Sequence, residues 1–189
     1  MTRENPVPGR DCGDCTICCE YLKVDIPELQ KPAGTMCPNC IINKGCAIYE
    51  TRPQLCRDWL CGWRETRVMG DEWRPDRSGI LVMFADDDDE VPHGFEQPTI
   101  KFMLLNVSKI HWPPLVNTIA SLINHGKAVY LQIGGANSVQ GQKTFLSSVP
   151  AMRAAIQARD YAAVVGQLQR ALEVLVKTRE AEVAAQKGQ

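Results

Sequence analysis

Nine cysteines lie between positions 12 and 61, and none lies elsewhere in the chain. Cys12, Cys15, Cys18 and Cys19 form the pattern C-x2-C-x2-C-C; Cys37 and Cys40 form C-x2-C, with Cys46 after five intervening residues; Cys56 and Cys61 complete the set. A spacer of two residues lets both thiolates of a pair reach one metal ion while the backbone makes a tight turn. Gly13 sits inside one such turn and Pro38 stiffens another. The thiolate is the ligating form, and nearby positive charge sustains it. Arg52 and Arg57 flank Cys56 and are the expected source of that charge. Three readings compete for the pattern. A disulfide framework belongs to small secreted domains, whereas this count is odd and a full-sized half of the chain has no cysteine. Inert buried thiols do not account for repeated C-x2-C pairs in so short a stretch. Metal ligation does, so Cys12, Cys15, Cys18, Cys19, Cys37, Cys40, Cys46, Cys56 and Cys61 are the candidate ligands.

The metal itself stays open between zinc and an iron–sulfur cluster. Zinc takes four sulfur or mixed sulfur and nitrogen ligands in a tetrahedron, and eight of the nine cysteines suffice for two such sites. An iron–sulfur cluster also takes four thiolates. C-x2-C-x2-C resembles the start of the bacterial ferredoxin run, but here Cys19 follows Cys18 directly and Glu20 comes next. Adjacent side chains diverge in most backbone conformations, so Cys18 and Cys19 are expected to serve different sites or to bridge two. His93, His111 and His125 all lie outside the cluster and are read as surface or capping groups.

The opening run from Cys12 to Cys19, together with Gly45-Cys46-Ala47-Ile48-Tyr49-Glu50-Thr51-Arg52-Pro53-Gln54-Leu55-Cys56-Arg57, resembles the YkgJ-like cysteine-cluster family of zinc- or iron-chelating proteins. That family's pattern is C-x2-C-x2-C-C, then G-x-C-x-I-Y-x-x-R-P-x-x-C-R and an aromatic, near whose place Trp59 stands. The resemblance covers residues 12–61. It implies metal-ligand roles for Cys12, Cys15, Cys18, Cys19, Cys46 and Cys56, with Cys37, Cys40 and Cys61 as additional ligands where the family varies. The cluster is also similar to that of the flagellin lysine methylase, which implies an iron–sulfur centre as one occupant. No glycine-rich S-adenosylmethionine loop accompanies it here.

The elements that must position these residues are short. Residues 1–69 are rich in cysteine, glycine and proline, so they predict a metal-bound module of short helices and loops. Cys15, Cys18 and Cys19 stand at helical spacing, and residues 53–64 are expected to form one short helix with Pro53 in its first turn. Residues 70–189 read as a second, α+β portion. Apolar runs at 80–84 and 99–107 predict strands, residues 115–123 repeat with helical period, and 128–133 alternate as a strand. Strand, strand, helix, strand predicts a mixed or antiparallel sheet with a helix packed on it. Helices are expected at 151–158 and from Asp160, where Tyr161, Val165, Leu168, Leu172 and Leu175 form a stripe that docks on the chain's own core. Beyond Thr178 the chain is polar and is expected to fray. The fold class is therefore α+β, with a cysteine-cluster module at 1–69 and an α+β portion with C-terminal helices at 70–189, as two units or as one continuous domain.

The composition excludes several classes. The chain has 189 residues, 44% hydrophobic and 23% charged, with net charge −1, which is ordinary for a globular protein. No global field recruits nucleic acid. No apolar run reaches the roughly 18 residues of a membrane span, and residues 1–10 are too polar for a signal peptide. The expected location is the cytoplasm. The acidic run 86–90 lacks EF-hand spacing and reads as a loop. Gly141-Gln142-Lys143-Thr144 lacks the glycine that a phosphate loop needs before its lysine. Trp59, Trp63 and Trp73 near Arg57, Arg64 and Arg74 resemble a base-stacking pattern, but packing over the cysteine cluster is the better reading. Ser147-Ser148 has no histidine or acid to partner it. Two functions remain. One is a metal-binding protein with a structural metal, whose residues 70–189 meet a protein partner. The other is an iron–sulfur-dependent redox enzyme or electron carrier.

Overall fold

Four buried residues in a row, Ile80, Leu81, Val82 and Met83, mark a strand covered on both faces. In the computed structural model, which describes residues 4–85, 93–134 and 141–187, this strand is β5 (Ile80–Ala85), one edge of a four-stranded sheet. It pairs antiparallel with β6 (Glu96–Leu104), with Ile80 opposite Leu104 and Val82 opposite Phe102. β6 runs parallel to β7 (Lys127–Ile133), with Phe102 opposite Leu131. A parallel pair needs a crossover, and the 3-10 turn Val107–His111 and α5 (Pro113–Asn124) supply it. α5 buries Leu115, Val116, Ile119, Leu122 and Ile123, the face its helical repeat predicts. β8 (Lys143–Phe145) closes the other edge, antiparallel to β7. The result is the mixed sheet with a packed helix that the order of elements predicts.

α6 (Pro150–Gln157) and α7 (Tyr161–Lys187) follow. Asp160 caps α7, its Oδ1 accepting the Ala163 N–H at 2.9 Å. The α7 stripe docks on the core through Val164, Leu168 and Leu175, while Tyr161 stands exposed. The predicted fraying after Thr178 is corrected, because α7 continues to Lys187. Polar contacts to the sheet hold that end: Gln142 Nε2 donates to Glu182 at 2.7 Å, and Arg179 Nη1 to the Gly134 carbonyl at 3.4 Å. One further expectation changes. The run at 99–107 ends as a strand at Leu104 and turns into the 3-10 segment. Lys143 and Thr144, outside any predicted element, lie in the short edge strand β8. The acidic run 86–90 lies outside the described residues.

The cysteine-bearing region is built of small pieces. β1 (Val24–Ile26) pairs with β2 (Leu29–Lys31), and β3 (Cys40–Ile41) with β4 (Gly45–Cys46). The helices α1 (Ile17–Tyr21), α2 (Gln54–Asp58), α3 (Gly62–Glu65) and α4 (Pro75–Ser78) have four or five residues each. The single helix expected at 53–64 is two helices, separated by extended backbone at Trp59 and Cys61. That break lets α3 lie flat on β5. A Cβ on Gly62 would meet Val82 Cγ1 at 2.7 Å, so only glycine permits this approach. Packing is continuous across residues 69 and 70: Trp63 and Met69 share one apolar core with Trp73, Phe102, Leu115 and Leu168. Trp73 packs against Phe102 and Trp112, with ring centroids 6.2 and 4.8 Å away.

Candidate metal centre

Each cysteine is placed by a local turn. The Cys15 N–H donates to the Cys12 carbonyl at 2.9 Å, closing the first C-x2-C turn around Gly13, and the Cys40 N–H donates to the Cys37 carbonyl at 3.0 Å, closing the second around Pro38. Cys15 precedes α1 rather than joining it, so the predicted helical trio is a turn residue plus Cys18 and Cys19 in the helix. The Cys37 N–H donates to the Cys19 carbonyl at 2.9 Å, which brings the second group against the first. Cys40 and Cys46 are direct partners across β3 and β4. Gly45, at φ +91°, holds this hairpin against the first turn: a Cβ there would meet the Gly13 carbonyl oxygen at 2.2 Å. Cys56 rides on α2, and Cys61 starts α3.

These pieces enclose one cavity of about 290 Å³. Cys12, Cys15, Cys18 and Cys61 line it, and so do Cys19, Cys37, Cys46 and Cys56. Cys40 is the one cysteine that does not. All nine are free thiols. The walls between them are apolar, from Ile17, Leu22, Leu29, Leu55 and Leu81, with Trp59 and Trp63 among them. Two of the three expected tryptophans thus pack over the cysteines, and Trp73 lies in the sheet core instead.

Four cations line the cavity, Lys23, Lys31, Arg52 and Arg64, and no carboxylate does. Arg57, expected as a charge source, points elsewhere and is exposed. Arg52 stacks over the Tyr49 ring, 3.7 Å from its centroid, and its Nε donates to the Cys56 carbonyl at 3.3 Å. Arg64 lies 3.5 Å from Cys12 Sγ through Nη1 and donates from Nη2 to the Arg10 carbonyl at 3.1 Å. Lys31 had no signal in the sequence. Its residue is only 4% exposed, and its ammonium donates to the carbonyls of Glu20, Leu22 and Pro32. Burial pushes its pKa down, and the sulfurs of Cys37, Cys19 and Cys18 push it back up.

The thiols feel both burial and one another. A hydrogen bond with Cys19 is the first cause holding the Cys18 proton on, and burial adds to it. The same bond is the first cause lowering Cys19, to about 6. Burial raises Cys61 to about 11 and Cys40 to about 12, and it raises Cys15, Cys46 and Cys56 as well. These shifts describe thiols without metal. A bound cation removes the cost, since it takes the thiolate directly.

The donor set suits a soft, thiolate-bound metal, and the cations and apolar walls suit its net negative charge. The side chains as they stand are spread around the cavity. Among the described residues, no three histidine, cysteine, aspartate or glutamate side chains form a group that could hold a metal ion. The histidines take no part: His125 Nδ1 lies 2.7 Å from the Ser121 carbonyl at the end of α5, and His111 Nε2 lies 3.3 Å from Gln169 Nε2. Ser147 is structural, its Oγ donating to the Lys127 carbonyl at 2.8 Å and accepting the Val129 N–H at 3.0 Å. No family model matches this chain, and neither the curated proteins nor the solved structures hold a significant match to it.

Proposed function

We propose that this chain is a metal-binding protein of the YkgJ-like cysteine-cluster kind, holding zinc or an iron–sulfur centre on its N-terminal cysteines. One observation carries the reading: eight thiols face a single cavity whose charged lining is entirely cationic. Eight sulfurs facing each other would repel one another once ionised. Lys31, Arg52, Arg64 and a metal offset that repulsion, while the fourth cation, Lys23, pairs with Asp25 at 2.7 Å. When bound, the metal supplies cross-links between turns that have little core of their own. The chain's own residues do the rest. Trp59, Trp63 and Leu81 exclude water, while Lys31, Arg52 and Arg64 hold positive charge beside the sulfurs.

The second reading, an iron–sulfur redox enzyme or electron carrier, draws on the cavity's size. At about 290 Å³ it exceeds one ion and its shell, and cationic, aromatic surroundings tune a cluster's potential. Free thiols suit a reducing compartment, so the proposed location is the cytoplasm; among the described residues no helix is long and apolar enough to cross a membrane. Residues 70–189 are proposed to meet a protein partner. Anaerobic purification, elemental analysis and an absorption spectrum test the assignment. Zinc in a colourless sample supports a structural metal. Iron with acid-labile sulfide and a broad visible band supports the redox reading. A chain that holds neither metal, as purified or after anaerobic reconstitution, overturns both.

A further inference from the structure

Residues 4–10 are bonded to residues 63–69, far along the chain. The Glu4 N–H donates to the Glu65 carbonyl at 2.6 Å, and the Val7 N–H to the Arg64 carbonyl at 2.8 Å. The Glu4 carboxylate accepts from Arg67 Nε and Nη2, both at 2.8 Å. Arg10 bonds most widely. Its Nη1 donates to the carbonyls of Trp63 and Thr66, the second at 3.0 Å, and its Nη2 to the Met69 carbonyl at 2.6 Å. The guanidinium also lies over the Trp63 ring, 5.1 Å from its centroid. Arg64 returns the contact: its Nε and Nη2 donate to the Arg10 carbonyl at 3.3 and 3.1 Å. Val7 is the one buried residue among 4–10.

These two stretches flank the cysteine region. Arg10 stands two residues before Cys12, and Trp63 two residues after Cys61. Both cysteines line the cavity. Much between them has little anchorage of its own, since α1 buries no residue and β3 and β4 have two residues each. Residues 62–66 and Met69, by contrast, are buried, with Gly62 against Val82 of the sheet. Backbone bonded to them is therefore fixed relative to the sheet. A planar guanidinium that spans three carbonyls sets direction as well as distance.

We infer that residues 4–10 are a clasp that joins the two flanks of the cysteine region and holds the Cys12 end of the cavity wall against α3, with Arg10 the positioning residue that pins it. No metal takes part in these contacts, so the clasp stands whether or not the metal-binding reading does. It fixes one wall of the cavity before any occupant arrives, and a fixed wall lowers the ordering cost of binding.

The test uses the whole chain, reduced and metal-free. Arg10→Met keeps an unbranched stem near Trp63 and removes the donors; Arg10→Lys keeps a charged donor. In Arg10→Met, alkylation of Cys12 and Cys61, read by peptide mass spectrometry, speeds up by about tenfold or more, because hydrogen bonds from a charged group are lost. Cys40 and Cys46 keep their wild-type rates, and Arg10→Lys falls between wild type and Arg10→Met. Unchanged rates at Cys12 and Cys61, equal acceleration of every thiol, or a Lys variant as fast as the Met variant each overturn the inference. Should Arg10→Met misfold, hydrogen exchange of the wild-type chain decides. Segments that open freely exchange at once. Amide protection of residues 4–10 matching that of α3 supports the clasp, and immediate exchange there overturns it.

Discussion

The hydrogen bond between the Cys18 and Cys19 thiols has a measurable consequence. In reduced, metal-free protein Cys19 is the more acidic partner, lowered to about 6 chiefly by the hydrogen bond from Cys18. Alkylation at pH 7 should therefore modify Cys19 well ahead of Cys40 or Cys61, whose burial holds their protons on. Cys18→Ala should move the midpoint of the Cys19 rate profile upward toward the ordinary thiol range. A midpoint that stays put would show that Cys18 is not the donor. Lys31 offers a second test at this scale. Replacing it by Met leaves the carbonyls of Glu20, Leu22 and Pro32 without their buried donor. Hydrogen bonds to a charged group contribute about 1.5–3 kcal/mol each, partly offset here by the cost of burying an ammonium. Lys31→Met should lower stability by about 2–3 kcal/mol in urea unfolding; a neutral result would show that water reaches those carbonyls.

At the scale of elements, the site depends on how closely two short pieces approach their supports. α3 touches β5 through Gly62, where an added methyl would lie 2.7 Å from Val82 Cγ1 and 2.8 Å from Val82 Cβ. Both Val82 and the backbone of α3 are buried, so neither has room to yield. Overpacking of this kind costs about 1–3 kcal/mol. Gly62→Ala should cost that much and should also weaken metal retention, because Cys61 begins the same helix. Equal metal content in the variant would separate Cys61 from the position of α3. The C-terminal half of α7 illustrates a different dependence. Its composition is polar, yet Glu182 and Arg179 bind Gln142 and Gly134 near the end of the sheet, so contacts distant in sequence keep it helical.

Across the whole molecule, the two portions lean on different sources of stability. The sheet, α5, α6 and α7 bury a continuous apolar core. The cysteine region has two- and three-residue strands and an α1 with no buried residue. Structure of that kind opens at low cost unless cross-linked. Metal removal should therefore lower amide protection over residues 12–56 in hydrogen exchange, while β5, β6, β7 and α5 keep theirs. Uniform protection with and without metal would contradict this. The metal-free protein should also be sensitive to alkali. Six thiols, those of Cys15, Cys18, Cys40, Cys46, Cys56 and Cys61, are raised in the folded state. Unfolded thiols ionise near about 8.5, so above that pH the native state binds more protons than the unfolded state. Stability then falls as pH rises through the folded values. Cys19 acts the opposite way: its stabilisation is present above the unfolded value and is lost as pH falls through about 6. Thermal melts of the reduced, metal-free protein between pH 7 and 10 should show a declining midpoint, and the slope should vanish in the metal-loaded form.

From the sequence by itself the donor set and much of the second half were legible. Nine cysteines at turn-forming spacings can be read whatever the fold, because their number and order do not depend on packing. The strands at 80–84 and 128–133 and the helix at 115–123 were legible because burial of one face repeats with the period of the backbone. The run 53–64 was misread as one helix because its break at Trp59 and Cys61 comes from docking α3 on β5, a contact between residues twenty apart in sequence. Nothing in the sequence placed Lys31 or Arg64 beside the sulfurs, since tertiary folding brings each of them there. Spacing along the chain says which thiols can share a turn, but only the folded backbone decides which turns face one another.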